Sequence, residues 1–403
     1  MDSWQDYLAN LANQQYLAFS LLQYHIPLVN SVATSEVNSN RSIGYRVKNA
    51  REACEMRQEQ LAEAMGFNDR QTLSDIENGK RSLKADELVS LAEHLGKDVD
   101  FFLDPFVVAG EAKFSWRVAP ELPEEVLDSF EARAGRLIGL LRWLREHQVG
   151  PASSLKANLR LSIKATYEEA QDRAESLVKQ FSLGPVPADH LAQFMEEDLS
   201  LQVIYLDIAE GTSISGAFCH LNDLGAILIN RNESEGRRNY DLAHELFHAL
   251  TWDLMEPDHR ETNSQEDRSK GKRIEQLADN FAAALLMPME SLATLIDPDR
   301  REDATHLAEV AARLRVTTQA LGWRLFNLKW ISDSSRAALS YERPSRPPST
   351  QPNRYSLAFA VMLHKAIDGG RLSARKAAKA LGMNLSQLAA LFPEHGLAAP
   401  FEV

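Results

Sequence analysis

His244-Glu245-Leu246-Phe247-His248 sets two imidazoles four residues apart, with a carboxylate next to the first. On a helix, positions i and i+4 stand one above the other on the same face. The two rings can therefore hold one zinc ion (Zn2+), with Glu245 turned beside it as general base. The surrounding run, Tyr240 to Leu250, is apolar nearly all round, which marks a buried helix. Burying two imidazoles and a carboxylate is unfavourable unless they pair with one another or bind metal. Satisfied core histidines are the plainer alternative.

A second segment supplies a third ligand. Across Arg273–Pro288, Ile274, Leu277, Ala278, Phe281 and Leu285 keep the spacing of an amphipathic helix, and Pro288 is a stop signal. Glu275 and Asp279 lie four apart and share a face. This is the arrangement expected if Glu275 ligates zinc and Asp279 accepts the N–H of a ligand histidine. Two histidines and a glutamate leave the fourth tetrahedral position to water, as in catalytic sites. The competing reading makes Glu275 and Asp279 the solvated edge of a packing helix.

Together, His244–His248 and the run Glu-x-x-Ala-Asp-x-Phe-Ala-Ala-x-Leu-Leu-Met-Pro at Glu275–Pro288 resemble the ImmA/IrrE family of zinc metallopeptidases. The resemblance spans Asp189–Ile331, and its Leu-Leu-Met-Pro ending is distinctive. It implies a zincin-like fold of gluzincin type and cleavage of transcriptional repressors in stress, mobile-element or defence responses. In that chemistry zinc polarises the scissile carbonyl and lowers the pKa of its water, while Glu245 carries the proton to the leaving amine. Tyr240, His220 and His259 are candidates for stabilising the oxyanion, and the sequence does not choose among them.

Upstream, Leu201–Leu206, Ile214–Cys219 and Ala226–Asn230 are β-prone runs separated by polar or glycine-containing turns. A small sheet beside the zinc helix can offer an edge strand to an extended substrate. Which strand forms that edge is open.

Near the N-terminus, Gln58–Gly66 reads as a short helix ending at a glycine, and Arg70–Arg81 as a second that ends in Glu-x-Gly-Lys-Arg. The pair resembles the helix-turn-helix of Cro/repressor-type (XRE) regulators, with a turn one residue longer than usual through Asn68-Asp69-Arg70. Flanking helices at Ser42–Met56, Ala85–Leu95 and Val99–Leu103 complete a five-helix domain. In that arrangement the second helix enters the major groove of operator DNA. Arg70, Gln71, Thr72, Ser74 and Asp75 are its candidate base contacts. Arg46, Lys48, Arg51, Lys80, Arg81 and Lys84 are candidate phosphate contacts, which position without reading sequence. A helical protein-docking module is the alternative, because Arg41–Leu103 carries ten Lys/Arg against twelve Asp/Glu.

The 403 residues carry a formal charge of −13, so non-specific adhesion to nucleic acid is excluded as a design and any DNA contact must be local. The two cysteines, Cys54 and Cys219, are expected as free thiols. No apolar run approaches membrane-spanning length, and Met1–Asn40 lacks the basic start of a secretion signal, so a cytoplasmic location is expected. That stretch reads as a short amphipathic segment with a polar Ser/Asn tail.

The expected fold is mainly α with a small β-sheet (α+β), in six segments: an extension over 1–40, the helix-turn-helix domain over 41–103, and a linker and helical spacer over 104–187. The peptidase domain over 188–332, a flexible Pro/Ser/Arg-rich linker over 333–354 and a small helical domain over 355–403 follow. Asp104–Trp116 is the linker proper, and Pro123–His147 and Ala165–Phe181 are helical. His306–Leu321 reads as two helices broken at Val316-Thr317, more a support beneath the zinc site than a second DNA reader. The expected protein is a homodimeric regulator with a zinc endopeptidase directed at a repressor-like protein, a partner or its own DNA-binding end. Its rivals are a transcription factor or antitoxin whose peptidase-like part is a sensor with little turnover, and a dimerisation platform built on structural zinc.

Overall fold

The computed structural model describes residues 32–108, 111–148, 158–208, 213–261, 270–343 and 351–402. The chain divides into two compact units, Met1–Gly110 with Gly139–Ala152, and Glu111–Ile138 with Ser153–Val403. Most of the segment expected as an N-terminal extension, up to residue 31, lies outside the described residues.

The first unit is built from α1 (Val32–Ala53), α2 (Gln58–Ala64), α3 (Arg70–Glu77), α4 (Ala85–His94) and α5 (Val99–Leu103). Gly66 takes a left-handed φ of 68° that stops the α2 segment. Asp69 then starts α3 as its N-cap, accepting from the Thr72 backbone N–H at 2.8 Å. The long turn between the two helices is thus a glycine stop followed by an aspartate cap. Val47, Leu61, Leu73, Ile76, Leu91 and Phe102 form the core. A Cβ on Gly44 would sit 2.2 Å from the Ile76 carbonyl oxygen, so α1 crosses α3 where only glycine fits.

The second unit opens with β1 (Lys113–Val118) and α6 (Glu124–Gln148), whose residues from Gly139 onward belong to the first unit. It continues through α7 (Tyr167–Gln180), α8 (Leu191–Glu197), β2 (Gln202–Leu206), β3 (Ile214–Leu221) and β4 (Leu224–Asn230). Next come α9 (Glu235–Thr251), β5 (Arg260–Glu261), α10 (Lys270–Leu286) and α11 (Met289–Leu295). The strand order is β2-β4-β3-β1-β5. β3 pairs antiparallel with β4 and β1, whereas β2 runs parallel to β4 and β5 parallel to β1.

Two of these strands come from stretches not expected to be β. β1 takes up the end of the segment expected as a linker, and β5 is only two residues long. Of the three strands legible in sequence, β3 and β4 are interior and β2 is an edge. The β2 edge is itself partly covered, since the Tyr205 N–H donates to the Arg354 carbonyl at 3.0 Å.

Helices α9 and α10 share one apolar core, in which Leu246, Phe247, Leu277 and Phe281 are fully buried. The Phe247 and Phe281 rings stand 5.5 Å apart. α12 (Ala304–Arg313) and α13 (Thr318–Asn327) follow, broken at Arg315, which takes a left-handed φ of 55°. Their Leu307, Ala311, Leu321 and Leu325 join the same core, so the pair packs as part of the second unit's body.

The stretch expected as a flexible linker begins instead with α14 (Asp333–Tyr341). Ser332 caps it and one fully buried residue, Leu339, anchors it, too few apolar positions for a periodicity to show. α15 (Leu357–Asp368), α16 (Ala374–Leu381) and α17 (Leu385–Leu391) complete the described chain. No helix among the described residues is long and apolar enough to cross a membrane. Cys54 is exposed, Cys219 is buried, and both are free thiols.

Candidate functional site

Ring-bearing positions on α9 and carboxylates on α10 converge in the interior of the second unit. His244, Glu245 and His248 are essentially without solvent exposure, and Glu275 is buried. The two Nε2 atoms stand 3.1 Å apart. Glu275 Oε2 lies 3.1 Å from His244 Nε2, and its Oε1 lies 3.5 Å from His248 Nε2. Asp279, one turn further along α10, accepts from His244 Nδ1 at 3.0 Å. A proton on Nδ1 leaves Nε2 with a lone pair pointed into the cluster.

The sheet supplies the other wall through one row of residues. Register pairs Ile229 with Gly216, Gly216 with Arg117, and Arg117 with Glu261 across β4, β3, β1 and β5. Residues directly opposed on neighbouring strands share a face. Glu245 packs over this row at Gly216, its Oε1 3.7 Å from where a Cβ would stand, an ordinary van der Waals contact. Arg117 reaches Asp241 of α9 at 3.4 Å and Asp279 of α10 at 3.5 Å. Glu261 enters the histidine cluster, 3.4 Å from His244 Nε2 and 3.6 Å from His248 Nε2.

His244, His248, Glu261 and Glu275 each offer a ligand atom within 4.8 Å of the others. A tetrahedral zinc with bonds of about 2.0–2.2 Å would set its donors about 3.3–3.6 Å apart. The separations from each histidine Nε2 to the other and to a carboxylate oxygen, 3.1 to 3.6 Å, lie close to that figure. Two imidazole nitrogens this close need either a proton or a metal cation between them. Sequence reasoning expects three protein ligands; the structure brings a fourth carboxylate, Glu261, to the same point.

The local electrostatics also call for a cation. Burial and the Arg117 guanidinium oppose a charged His244, yet hydrogen bonds to Asp279, Glu261 and Glu275 hold its pKa well above the usual imidazole range. Burial works against the Glu275 carboxylate as well, but His248 and His244 hold its pKa well below the ordinary value. Burial raises the Glu245 pKa strongly, and the Glu261 carboxylate adds to it. Neither oxygen of Glu245 has a hydrogen-bond partner among the described residues. A buried carboxyl left without partners in this way is open to a group that enters the site.

The three candidates for the oxyanion separate. Tyr240 donates to the Asp279 carbonyl at 3.0 Å and lies beside the cluster. His220 stacks on Trp252 at 5.0 Å, and His259 bonds Glu131 at 2.7 Å on the surface.

Comparison with known proteins agrees with this geometry. Residues 196–326 match the peptidase M78 family model, described as an IrrE N-terminal-like domain, and residues 47–102 match a helix-turn-helix model. The chain joins an XRE-type helix-turn-helix domain to an IrrE N-terminal-like domain. A search of curated proteins found no match. One solved structure, the apo form of the competence regulator ComR from Streptococcus vestibularis, aligns at 15% identity. The alignment covers 89% of this chain and 95% of that one, with a TM-score of 0.16, and nothing about this chain follows from it.

In the helix-turn-helix domain, Arg70 and Gln71 are exposed at the start of α3, and Thr72, Ser74 and Asp75 are half-buried. Several already have partners: Thr72 Oγ1 donates to Asp69 at 3.0 Å and Gln71 to Asp75 at 2.9 Å. Arg70 stands 3.5 Å from Glu59, on the surface. Lys80 is exposed, but Arg81 forks onto Glu87 at 2.7 and 3.0 Å. Arg46 and Arg51, expected at phosphates, are instead buried. Arg46 donates to the carbonyls of Phe102 and Val107, and Arg51 pairs with Glu77 at 2.7 Å.

Arg117 and Glu261 are the site residues that the sequence did not reveal. Arg117 is the single charge in the otherwise β-prone Phe114–Val118, a signal that could have marked it. Glu261 carries no local signal.

Proposed function

We propose that this chain is a zinc endopeptidase that cleaves a repressor-like protein and acts at operator DNA through its helix-turn-helix domain. The observation that carries the reading is the buried placement of His244, His248 and Glu275 around one point, with Glu245 free beside it. Bound zinc would supply a Lewis acid for the scissile carbonyl and a water of lowered pKa. His244, His248 and Glu275 would hold it, and Asp279 would fix the His244 tautomer. Glu245 takes the water's proton and returns it to the leaving amine, a shuttle that needs an acceptor without competing donors. Tyr240 is the nearest of the three oxyanion candidates.

The exposed start of α3 would face base edges, with Lys80 and Lys84 at phosphates. One such domain covers a half-site, so a homodimer on a two-fold operator is the expected functional form. A peptidase on the same chain as an operator reader points to a substrate of the regulatory kind, a repressor-like partner or the chain's own DNA-binding end.

The test compares full-length wild type with Glu245→Gln and His244→Ala in cells, mapping newly formed protein N-termini and measuring bound zinc. Glu245→Gln should hold as much zinc as wild type and yield no cleavage products, whereas His244→Ala should lose both. Cleavage by Glu245→Gln at the wild-type level would overturn the mechanism.

A further inference from the structure

Glu261 reaches the centre from a two-residue strand laid along the outer edge of β1. Its carboxylate is buried, and Oε2 lies 3.4 Å from His244 Nε2. Ser115, two residues before Arg117 and so on the same face of β1, shares its one hydroxyl proton between Glu261 Oε1 at 2.9 Å and the Asp258 carbonyl at 2.8 Å. The Trp116 N–H donates to the His259 carbonyl at 2.9 Å, and the Arg260 guanidinium bonds the Leu122 carbonyl. The segment from Asp258 to Glu261 is therefore held on β1 by both backbone and side chains.

Two things follow from that position. First, the strand edge nearest the histidines is taken. An extended substrate adds to a sheet through a free row of N–H and C=O groups. The other edge, β2, lies two strands beyond β3 and is partly covered by Arg354. Second, a hydrolytic zinc site keeps one position open, whereas four protein donors close it. His244, His248, Glu275 and Glu261 provide four.

Resting on the zinc reading above, we infer that Glu261 is a displaceable fourth ligand. It closes the centre while β5 occupies the β1 edge, so the peptidase is latent in this conformation. A peptide strand that pairs with β1 removes β5 and Glu261 together, coupling substrate docking to the opening of the metal. A glutamate on a two-residue strand suits such exchange, because releasing it gives up one ligand, a short ladder and the few bonds to Ser115, Trp116 and Leu122, and no apolar core. His244, His248 and Glu275 lie inside long packed helices and have no such freedom.

The test uses the full-length chain loaded with cobalt(II), whose visible spectrum reports coordination, and acetohydroxamate as a probe for an open position. Wild type, Glu261→Gln and His244→Ala are compared for metal stoichiometry, metal affinity by chelator competition, and hydroxamate binding. Glu261→Gln should bind one cobalt with affinity lowered about 10–100-fold and take hydroxamate at least about tenfold more tightly than wild type. Ser115→Ala, which keeps the carboxylate but removes its donor, should fall between the two and serves if Glu261→Gln does not fold. Equal hydroxamate binding by wild type and both variants would overturn the inference. So would complete loss of metal from Glu261→Gln, as in His244→Ala, which would make Glu261 a fixed ligand. A wild-type chain that takes up no cobalt would overturn the zinc reading itself, and is told apart from the other outcomes by stoichiometry.

Discussion

Arg117 on β1 faces Asp279 on α10 at 3.5 Å, and this contact ties the sheet to the carboxylate that accepts from His244. The same guanidinium stands 3.4 Å from Asp241 on α9. One cation from the sheet is thus shared between a carboxylate on each of the two helices that carry the site. Burial raises the Asp241 pKa even so, with Arg117 and then Arg237 acting against it. Replacing Arg117 by methionine would leave the buried Asp241 with only the partly exposed Arg237 as a cation among the described residues, at a cost of about 3–5 kcal/mol. Denaturant unfolding of the second unit should report that loss. Stability within experimental error of wild type would mean that water replaces the guanidinium.

Asp279→Asn should act on metal before it acts on stability. An asparagine carbonyl can still accept from His244 Nδ1, but without the charge that makes the ring a stronger ligand. Metal affinity should fall about 10–100-fold, read by chelator competition, with the helical spectrum unchanged. An unchanged affinity would leave Asp279 with a packing role only.

Gly216→Ala tests the sheet's approach to Glu245, the proposed general base. The new Cβ would meet the Leu228 carbonyl oxygen at 2.9 Å, within the sheet backbone, and come within 3.7 Å of Glu245 Oε1. Overpacking of this kind destabilises by about 1–3 kcal/mol. Cleavage should fall further than the stability loss explains, while bound zinc stays at wild-type level, since no ligand is touched. Full cleavage by a folded Gly216→Ala protein would show that Glu245 does not need this seat.

What could be read from sequence was what a single helix brings together. His244, Glu245 and His248 are one helical turn apart, as are Glu275 and Asp279, so periodicity alone sets their faces. The helix-turn-helix was legible because Gly66, Asp69 and Gly79 punctuate it locally. Arg117 and Glu261 were not, because strand pairing across more than a hundred residues carries them to the centre. Their places follow from register, and register is fixed by the folded sheet. Arg46 and Arg51 misled for a related reason. Arg51 pairs with Glu77 and Arg46 bonds carbonyls near α5, partners that a charge count of the segment does not show.

The Arg51–Glu77 pair gives the first unit its own prediction. The side chains are 8% and 2% exposed, and Gln58 adds a donor to Glu77 at 2.6 Å. Glu77→Ala strands a buried guanidinium and should destabilise this unit by about 3–5 kcal/mol, abolishing DNA binding at every sequence. Lys80→Ala, on the surface, should instead weaken all DNA sequences alike and lower the salt slope of binding by about one. Gln71→Ala should relax preference at one base pair at a cost of about 1–3 kcal/mol. Binding isotherms over a salt series, on operator and random duplexes, separate the three. An unchanged slope in Lys80→Ala would remove Lys80 from the interface.

Metal removal addresses the whole centre at once. Glu245, Glu261, Glu275 and Asp279 bring four carboxyl groups around two imidazoles, and among the described residues Arg117 and charge on His244 act against them. A ligand bound by the folded state alone stabilises it in proportion to the logarithm of its free concentration over Kd, about 4 kcal/mol at a thousandfold excess. For a unit of this size each kcal/mol moves Tm by about 2–4 °C. Excess chelator should therefore lower the melting transition of the second unit by about 8–16 °C and leave the helix-turn-helix transition in place. Glu245→Gln should respond as wild type does, because Glu245 supplies no ligand atom to the centre. His244→Ala should already melt at the lower temperature and ignore the chelator. A wild-type melt indifferent to chelator would mean that the histidines and carboxylates satisfy one another without metal, and the centre would then be a buried polar network.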